Sequence, residues 1–499
     1  MSMIKVEALT FAYPGSSENV FEDVSFQIDT DWKLGFVGRN GRGKTTFFRL
    51  LQGQYEYSGK IISSVQFDYF PYEIEDMTQT VRAIMCSVCP EVQEWEVQRE
   101  FSLLKLADDM MERTFETLSN GERTKVLLAG LFLNEGHFLL IDEPTNHLDM
   151  EGRQLVSEYL NRKSGYILVS HDRAFLDGCV DHILAVNRTN IEVQSGNFSS
   201  WFENFERQQN FELRRNERLK KDIGRLQSAA RQSASWSDKV EKSKYNQEKT
   251  KHNPKAAAAK VDRGFIGHKA AKMMKRSKNL EARTKQALSE KQGLLKNVEV
   301  CEELIMNPMQ LHTDRLVSLD NVSVQYGEKE VCREVSFEVT TGERVALVGG
   351  NGCGKSSILH LITGCDISHS GRFVLPSGLV ISYVPQDASH LKGSLRDYAH
   401  EAEIDESLFK TVLRKLDFER VQLERDMSEL SGGQKKKVLL ARSLCERAHL
   451  YIWDEPLNYI DIYSRIQIEN VIAEFKPSML FVEHDRRFVE DIATKTVAL

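Results

Sequence analysis

Two stretches of the chain have the residue types and spacing to wrap a phosphate chain. GRNGRGKT at 38–45 and GGNGCGKS at 349–356 both fit GxxxxGK[ST]. In this pattern Gly38, Gly41 and Gly43, and again Gly349, Gly352 and Gly354, let successive backbone N–H groups turn inward onto phosphate oxygens at a helix N-terminus. Asn40 and Asn351 lie inside the loops, and Thr46 and Ser357 follow them as further nucleotide-binding candidates. Lys44 and Lys355 would reach the β- and γ-phosphates, while Thr45 and Ser356 would ligate Mg2+. About 98 residues later Asp142 and Asp454 end apolar runs, as a strand-end carboxylate beside the metal must. Glu143 and Glu455 follow them, placed to orient or deprotonate an attacking water. A lone Asp-Glu after a strand reads more simply as a solvated turn; the phosphate loop upstream in both places reverses that.

The elements that must position these residues are written twice. LSNGE at 118–122 returns as LSGGQ at 430–434, LLIDEP at 139–144 as YIWDEP at 451–456, and His171 as His484, at offsets of 311 to 313 residues including the phosphate loops. A domain-sized period means two copies of one domain, not a solenoid. The apolar runs KLGFVG, FLLID and YILVS, with RVALVG, LYIWD and MLFVE in the second copy, read as buried strands alternating with helices. That predicts an α/β fold with a largely parallel sheet in each copy.

Between the copies the character changes. Residues 207–298 hold 25 Lys or Arg against 9 Asp or Glu, +16 locally, which leaves −23 for the rest of a chain of net charge −7. Such a segment on an acidic body implies a polyanionic partner. Leu219, Ile223, Leu226 and Ala230 have helix-seam spacing, Leu280, Ala287 and Leu294 repeat every seven, and Pro254, Gly264 and Gly267 break the pattern between them. The expectation is two antiparallel helices, the first from about 207 to 250, joined by an irregular tip at about 254–267, with domains at 1–200, 201–300 and 301–499. Val261 and Phe265 are the apex candidates, or else they pack the two helices together. No run approaches the roughly 18 apolar residues of a membrane helix, and the N-terminus lacks a signal-peptide layout, so a cytoplasmic protein is expected. The eight cysteines are scattered, and Cys86 and Cys89 form a lone CxxC without a second ligand pair, which reads as reduced thiols.

These motifs, spread over about 400 residues, resemble the ATP-binding-cassette superfamily. The resemblance implies that two ATP molecules are sandwiched between copies. One site would combine Lys44 with Ser431, Gly432, Gly433 and Gln434; the other would combine Lys355 with Ser119 and Gly121. Asp149 and Asp461 match the loop linking the sites, and His171 and His484 the histidine that senses the γ-phosphate. Tyr13 and Tyr326 occupy the position whose ring stacks on adenine, though strand packing would explain them equally. Gln386 in YVPQD matches a glutamine that contacts metal or water, but its counterpart in YFPYE is Tyr72. With LSNGE and PLNYID also departing from the usual strings, the sites should hydrolyse unequally.

Two cassettes joined by a basic helical hairpin resemble the ABC-F proteins that act on ribosomes. WDEPLNYID and IGHKAAKMMKRSK look most like the Lsa-type and Vga-type antibiotic-resistance branch. The resemblance implies a monomer with an intramolecular cassette dimer and no membrane subunit, associated with the ribosome. It would occupy the exit-tRNA site, contact large-subunit rRNA and P-site tRNA, and displace lincosamide, streptogramin A or pleuromutilin drugs. The competing readings are a housekeeping ABC-F factor, the ATPase of a transporter with separate membrane subunits, and a DNA-repair ATPase.

Overall fold

The computed structural model describes residues 2–15, 19–134, 136–186, 191–249, 303–327 and 329–499. The chain divides into two compact units, Met1–Trp201 with Cys301–Leu499, and Phe202–Val300. Both repeats lie in the first unit.

The first repeat contributes β1 (Met3–Phe11), β2 (Phe21–Asp29), β3 (Lys33–Gly38), β4 (Ser58–Ile62), β5 (Gln66–Phe70), β6 (His137–Asp142), β7 (Tyr166–Val169), β8 (His182–Val186) and β9 (Ile191–Ser195). They form an antiparallel sheet in the order β2-β1-β4 and a larger one in the order β5-β6-β7-β3-β8-β9. The second repeat supplies β10 (Arg315–Tyr326), β11 (Lys329–Thr340), β12 (Arg344–Val348), β13 (Ser368–Val374), β14 (Ile381–Val384), β15 (Leu450–Asp454), β16 (Met479–Val482) and β17 (Lys495–Ala498). Their orders are β11-β10-β13 and β14-β15-β16-β12-β17.

All six apolar runs singled out in the sequence are central strands with parallel neighbours. They are apolar on both faces because both are covered, one by the antiparallel sheet together with the helix after the phosphate loop and the other by helices: Leu34, Phe36, Leu140, Ile141, Ile167 and Leu168 in the first repeat, and Ile452, Trp453, Leu480 and Phe481 in the second, are at most 1% exposed. Chemistry then collects where such strands end. Because β6, β7 and β3 are adjacent, Asp142 at the end of β6, His171 just beyond β7 and the loop after β3 emerge side by side.

The chain leaves the first repeat in one helix, Phe198–Lys249, of 52 residues, roughly 78 Å at 1.5 Å per residue. It starts nine residues before the expected position because its first turn belongs to the repeat. Phe198 and Trp201 are buried, Asn197 Oδ1 accepts from Ser200 N at 3.1 Å, and Asp177 accepts from Ser199 N at 2.7 Å. Each of those aromatic rings contributes roughly 1.5–3 kcal/mol by burial, enough to fix where the helix departs. The expected second helix, the tip, Val261 and Phe265 lie outside the described residues. Among the described residues no helix is long and apolar enough to cross a membrane. Cys86 and Cys89 are both free thiols.

Candidate active site

The two phosphate loops have nearly the same local geometry. Gly43 and Gly354 cap the helices Lys44–Leu51 and Lys355–Ile362 in the left-handed region, at φ 86° and 98°. A Cβ on Gly43 would stand 2.5 Å from Val20 Cγ1, so conformation and space both require glycine there. Lys44 Nζ donates to the carbonyls of Gly38 at 2.8 Å and Arg39 at 3.1 Å, and Lys355 Nζ to those of Gly349 at 2.8 Å and Gly350 at 2.7 Å. Both lysines thus arch over their own loops. Thr45 Oγ1 donates to Asp142 Oδ2 at 2.8 Å, and at the other site burial raises the Asp454 carboxyl while neighbouring Ser356 partly offsets it. Asp454 Oδ1 is buried without a hydrogen-bond partner. No group of three His, Cys, Asp or Glu side chains that could hold a metal occurs among the described residues. A hydroxyl and one carboxylate instead fit a hard cation that takes its remaining oxygens from phosphate and water.

Each loop meets the opposite repeat. Asn40 Nδ2 donates to Tyr459 O at 2.9 Å, and at the equivalent place Asn351 Nδ2 donates to His147 O at 3.2 Å. His147 and Tyr459 hold φ 70° and 64°, an unusual conformation for such residues that turns their carbonyls toward the partner loop. Gly433 lies against Tyr459 O and Asn40 Nδ2, so a Cβ there would be 2.6 Å from that carbonyl. On the other side Ser119 and Gly121 line a cavity of about 420 Å³ together with Asn351, Gly352, Gly354, Lys355, Ser356, Ser357, Gln386, Glu455 and His484. The loop of each repeat therefore faces the LSNGE or LSGGQ string of the other. Ser119 and Ser431 are the N-caps of the helices Asn120–Leu131 and Gly432–Cys445. Glu122 and Gln434 close the capping boxes by accepting from Ser119 N and Ser431 N, each at 2.9 Å. Two helix N-termini thus point across the interface, a favourable place for anionic groups.

The glutamates sit at φ 51° in Glu143 and 45° in Glu455, pinned by backbone bonds to Val169 O at 2.9 Å and Val482 O at 3.0 Å. Their side chains then differ. Burial pushes Glu455 upward, but His484, Gln386 and Asn458 outweigh it and hold the carboxyl at about 2. Asn458 Nδ2 donates to Glu455 Oε2 at 2.6 Å, while His484 Nε2 lies 3.4 Å from Oε1 without a hydrogen bond. Glu143 is pushed up to about 8 by burial and by Asp142 beside it, against the pull of Arg465 and Lys44. Its Oε1 is 3.4 Å from His171 Nε2, but that nitrogen is committed to Asn40 Oδ1 at 3.0 Å, and Oε1 has no hydrogen-bond partner. Burial lowers His171 well below the ordinary histidine value, so it is neutral.

The linking aspartates diverge as well. Asp149 caps the helix Met150–Asn161 by accepting from Gly152 N at 2.8 Å. Asp461 caps Ile462–Phe475 and, fully buried, also accepts from Lys437 Nζ at 2.6 Å. Tyr72 is 39% exposed, and it is Tyr69, three residues earlier, that donates to Asp142 Oδ2 at 3.2 Å. Tyr13 packs edge-on against Phe11 and Tyr55, at 5.1 and 5.8 Å, and its hydroxyl hydrogen bonds Thr46 at 2.7 Å. Tyr326 ends β10, 48% exposed, whereas Val331 of β11 lines the cavity. Sequence reasoning missed Tyr69, Asn458, Lys437 and Val331. Only Asn458, three residues past Glu455, carried a signal, since it stands within the repeated PTNHLD and PLNYID strings.

Comparison with known proteins gives this geometry a family. The profile described as ABC transporter matches residues 21–146 and 332–458, together about half of the chain. The chain is 27% identical over 493 residues to the ribosome protection protein VmlR of Bacillus subtilis, covering 96% of this chain and 84% of that one. It is 26% identical to the energy-dependent translational throttle protein EttA of Haemophilus influenzae, covering 95% and 88%, and 26% identical to ABC transporter F family member 2 of Arabidopsis thaliana, covering 99% and 76%. In fold it is similar to the archaeal ribosome recycling factor aABCE1 in its complex with stalk protein aP1, with a TM-score of 0.64 at 18% identity over 98% of this chain and 87% of that one. The two profile matches fall on the two repeats whose phosphate loops, strand-end carboxylates and capped helices face one another, and the chain belongs to the ABC transporter family as a tandem ATP-binding-cassette ATPase.

Proposed function

We propose that this ATPase is an F-type ribosomal protection protein of the cytoplasm. It binds the exit-tRNA site of the ribosome, directs its basic arm toward P-site tRNA and the peptidyl-transferase rRNA, and confers resistance to lincosamide, streptogramin A and pleuromutilin antibiotics. The observation that carries the reading is the arm: an uninterrupted 52-residue helix opens a segment with 25 Lys or Arg against 9 Asp or Glu. Its charge matches a polyphosphate partner and its length suits reach into a large particle. Relatives named for ribosome protection and for throttling translation, each matched over at least 95% of the chain, support the same assignment.

Each ATP would lie between one repeat's phosphate loop and the other's capped helix. Lys44 and Lys355 would exchange loop carbonyls for phosphate oxygens. Thr45 with Asp142, and Ser356 with Asp454 and Gln386, would hold Mg2+, which supplies charge neutralisation at the phosphates when bound. Ser119 and Gly121, or Ser431, Gly432 and Gly433, would close on the nucleotide from the other side. Glu455, already ionised and aimed by Asn458, would orient or deprotonate the attacking water; Glu143 would do so only after losing a proton. With ATP bound and the repeats closed the protein would occupy the ribosome, and hydrolysis would release it.

The test is sedimentation of ribosomes with the Glu143→Gln, Glu455→Gln double variant and ATP. Stable co-sedimentation at physiological salt is expected; its absence refutes the ribosomal assignment. The relative named as a translational throttle favours a second reading, a factor that tunes translation without drug protection. Rescue of translation from the three drug classes separates the two.

A further inference from the structure

The interface between the repeats is pseudo-symmetric at its centre and asymmetric one turn away. At the centre Arg153 pairs with Asp172 at 2.9 Å and Arg465 with Asp485 at 2.8 Å, all four groups buried. These pairs correspond residue for residue in the two repeats. One helical turn on, the first repeat has Ser157 where the second has Glu469. Glu469 receives the guanidinium of Arg173 from the opposite repeat, with side chains only 5% and 11% exposed. The mirror arginine, Arg486, is 65% exposed and pairs with Glu490 on its own helix at 2.8 Å. In front of it is a cavity of about 480 Å³ lined by Ser157, Gly178, Arg153, Asp172, His484 and Arg486. One edge of the interface is closed by a buried inter-repeat ion pair; beside the other, Arg487 Nη1 donates only a long hydrogen bond to Ser199 Oγ at 3.4 Å, and no buried inter-repeat ion pair closes it among the described residues.

The two edges belong to different ATP sites. Arg173 is two residues from His171, beside Glu143 and Lys44. Glu469 is on the helix that follows the Tyr459 loop, whose carbonyl holds Asn40. The open edge instead borders His484, which also lines the cavity holding Lys355 and Glu455.

We infer that Glu469 is a positioning residue that latches the first ATP site: through Arg173 it ties the His171 loop to the opposite repeat, so the repeats part at the Ser157–Arg486 edge and the second site exchanges nucleotide first. Opening at the Ser157–Arg486 edge, with the latched edge as the hinge, keeps Arg173–Glu469 desolvated and paired. Opening at the latched edge would expose or strand that pair, which is the costlier route. The latch rests on the two-site reading above but not on the ribosome.

The test uses the full chain and a fluorescent, slowly hydrolysed ATP analogue. Equilibrium binding comes first: two nucleotides per chain are expected, and fewer overturns the two-site reading rather than the latch. Release into excess ATP should then be biphasic, with Lys44→Ala removing the slow phase and Lys355→Ala the fast one. Glu469→Ser, which copies the mirror residue, should speed the slow phase about tenfold or more and leave the fast phase within twofold. Ser157→Glu, whose side chain has the cavity to enter and Arg486 to meet, should slow the fast phase. A general loss of packing would shift both phases together. Equal change in both phases, no change with Glu469→Ser, or assignment of the slow phase to Lys355 overturns the latch. Should Glu469→Ser fail to fold, Ser157→Glu decides: an unaltered fast phase refutes the idea.

Discussion

The two glutamates proposed to act on the attacking water should titrate apart. Glu143 is pushed up to about 8 by burial and Asp142, while Glu455 is held at about 2 by His484, Gln386 and Asn458. A raised acid gains its working carboxylate only as pH rises through its own pKa, and a depressed one keeps it throughout the neutral range. At pH 7 roughly a tenth of Glu143 would be ionised and at pH 9 roughly nine-tenths, so turnover limited by this group should rise about tenfold over that interval. With the proposed roles, Glu455→Gln should leave only the first site competent and Glu143→Gln only the second. Phosphate release is then measured at saturating ATP and Mg2+ from pH 6.5 to 9.5. The Glu455→Gln profile should climb and the Glu143→Gln profile stay nearly flat. Bound phosphates and cation enter equivalent positions at both sites, so the difference between the profiles is the quantity that discriminates. Superimposable profiles would refute the electrostatic argument and leave the PLNYID and Tyr72 departures without that consequence.

Lys437→Met should cost about 3–5 kcal/mol in urea denaturation, because it strands Asp461, fully buried and 2.6 Å from Lys437 Nζ, without its cation. Adding Asp461→Asn should recover much of the loss. Lys437 holds the Asp461 carboxyl well below the usual range, so its contribution is present above the ordinary carboxylate pKa of about 4 and fades as pH falls below it; the wild-type and variant curves should converge in acid. Gly43→Ala should abolish nucleotide binding at the first site in a filter assay, since φ 86° and a 2.5 Å approach to Val20 both oppose a Cβ. On the arm, replacing Arg214, Arg215, Lys220 and Lys221 by Ala should weaken ribosome binding and lower its log–log salt slope by about 0.7–0.9 per lost phosphate contact. An unchanged slope would make this part of the arm a spacer.

Much of the site was legible before folding because its chemistry is local. A phosphate loop needs glycines at set spacings, a lysine and a hydroxyl, all within eight residues, and Asp142 and Asp454 announce themselves by ending apolar strands. The strands themselves were legible because burial on both faces leaves uninterrupted apolar runs. The helix start was misplaced, since the pattern around Phe198 and Trp201 answers to the first repeat and not to the arm's own seam.

By itself, then, the sequence determined two α/β repeats, their phosphate chemistry and a basic arm, because these depend on side chains close together along the chain. Which loop faces which capped helix was decided by tertiary structure, through Asn40 on the Tyr459 carbonyl and Asn351 on that of His147. So were the opposite charge states of Glu143 and Glu455 and the one-sided pairing of Arg173 with Glu469. Burial and Coulomb interaction act through space, and residues up to 419 positions apart meet at this interface.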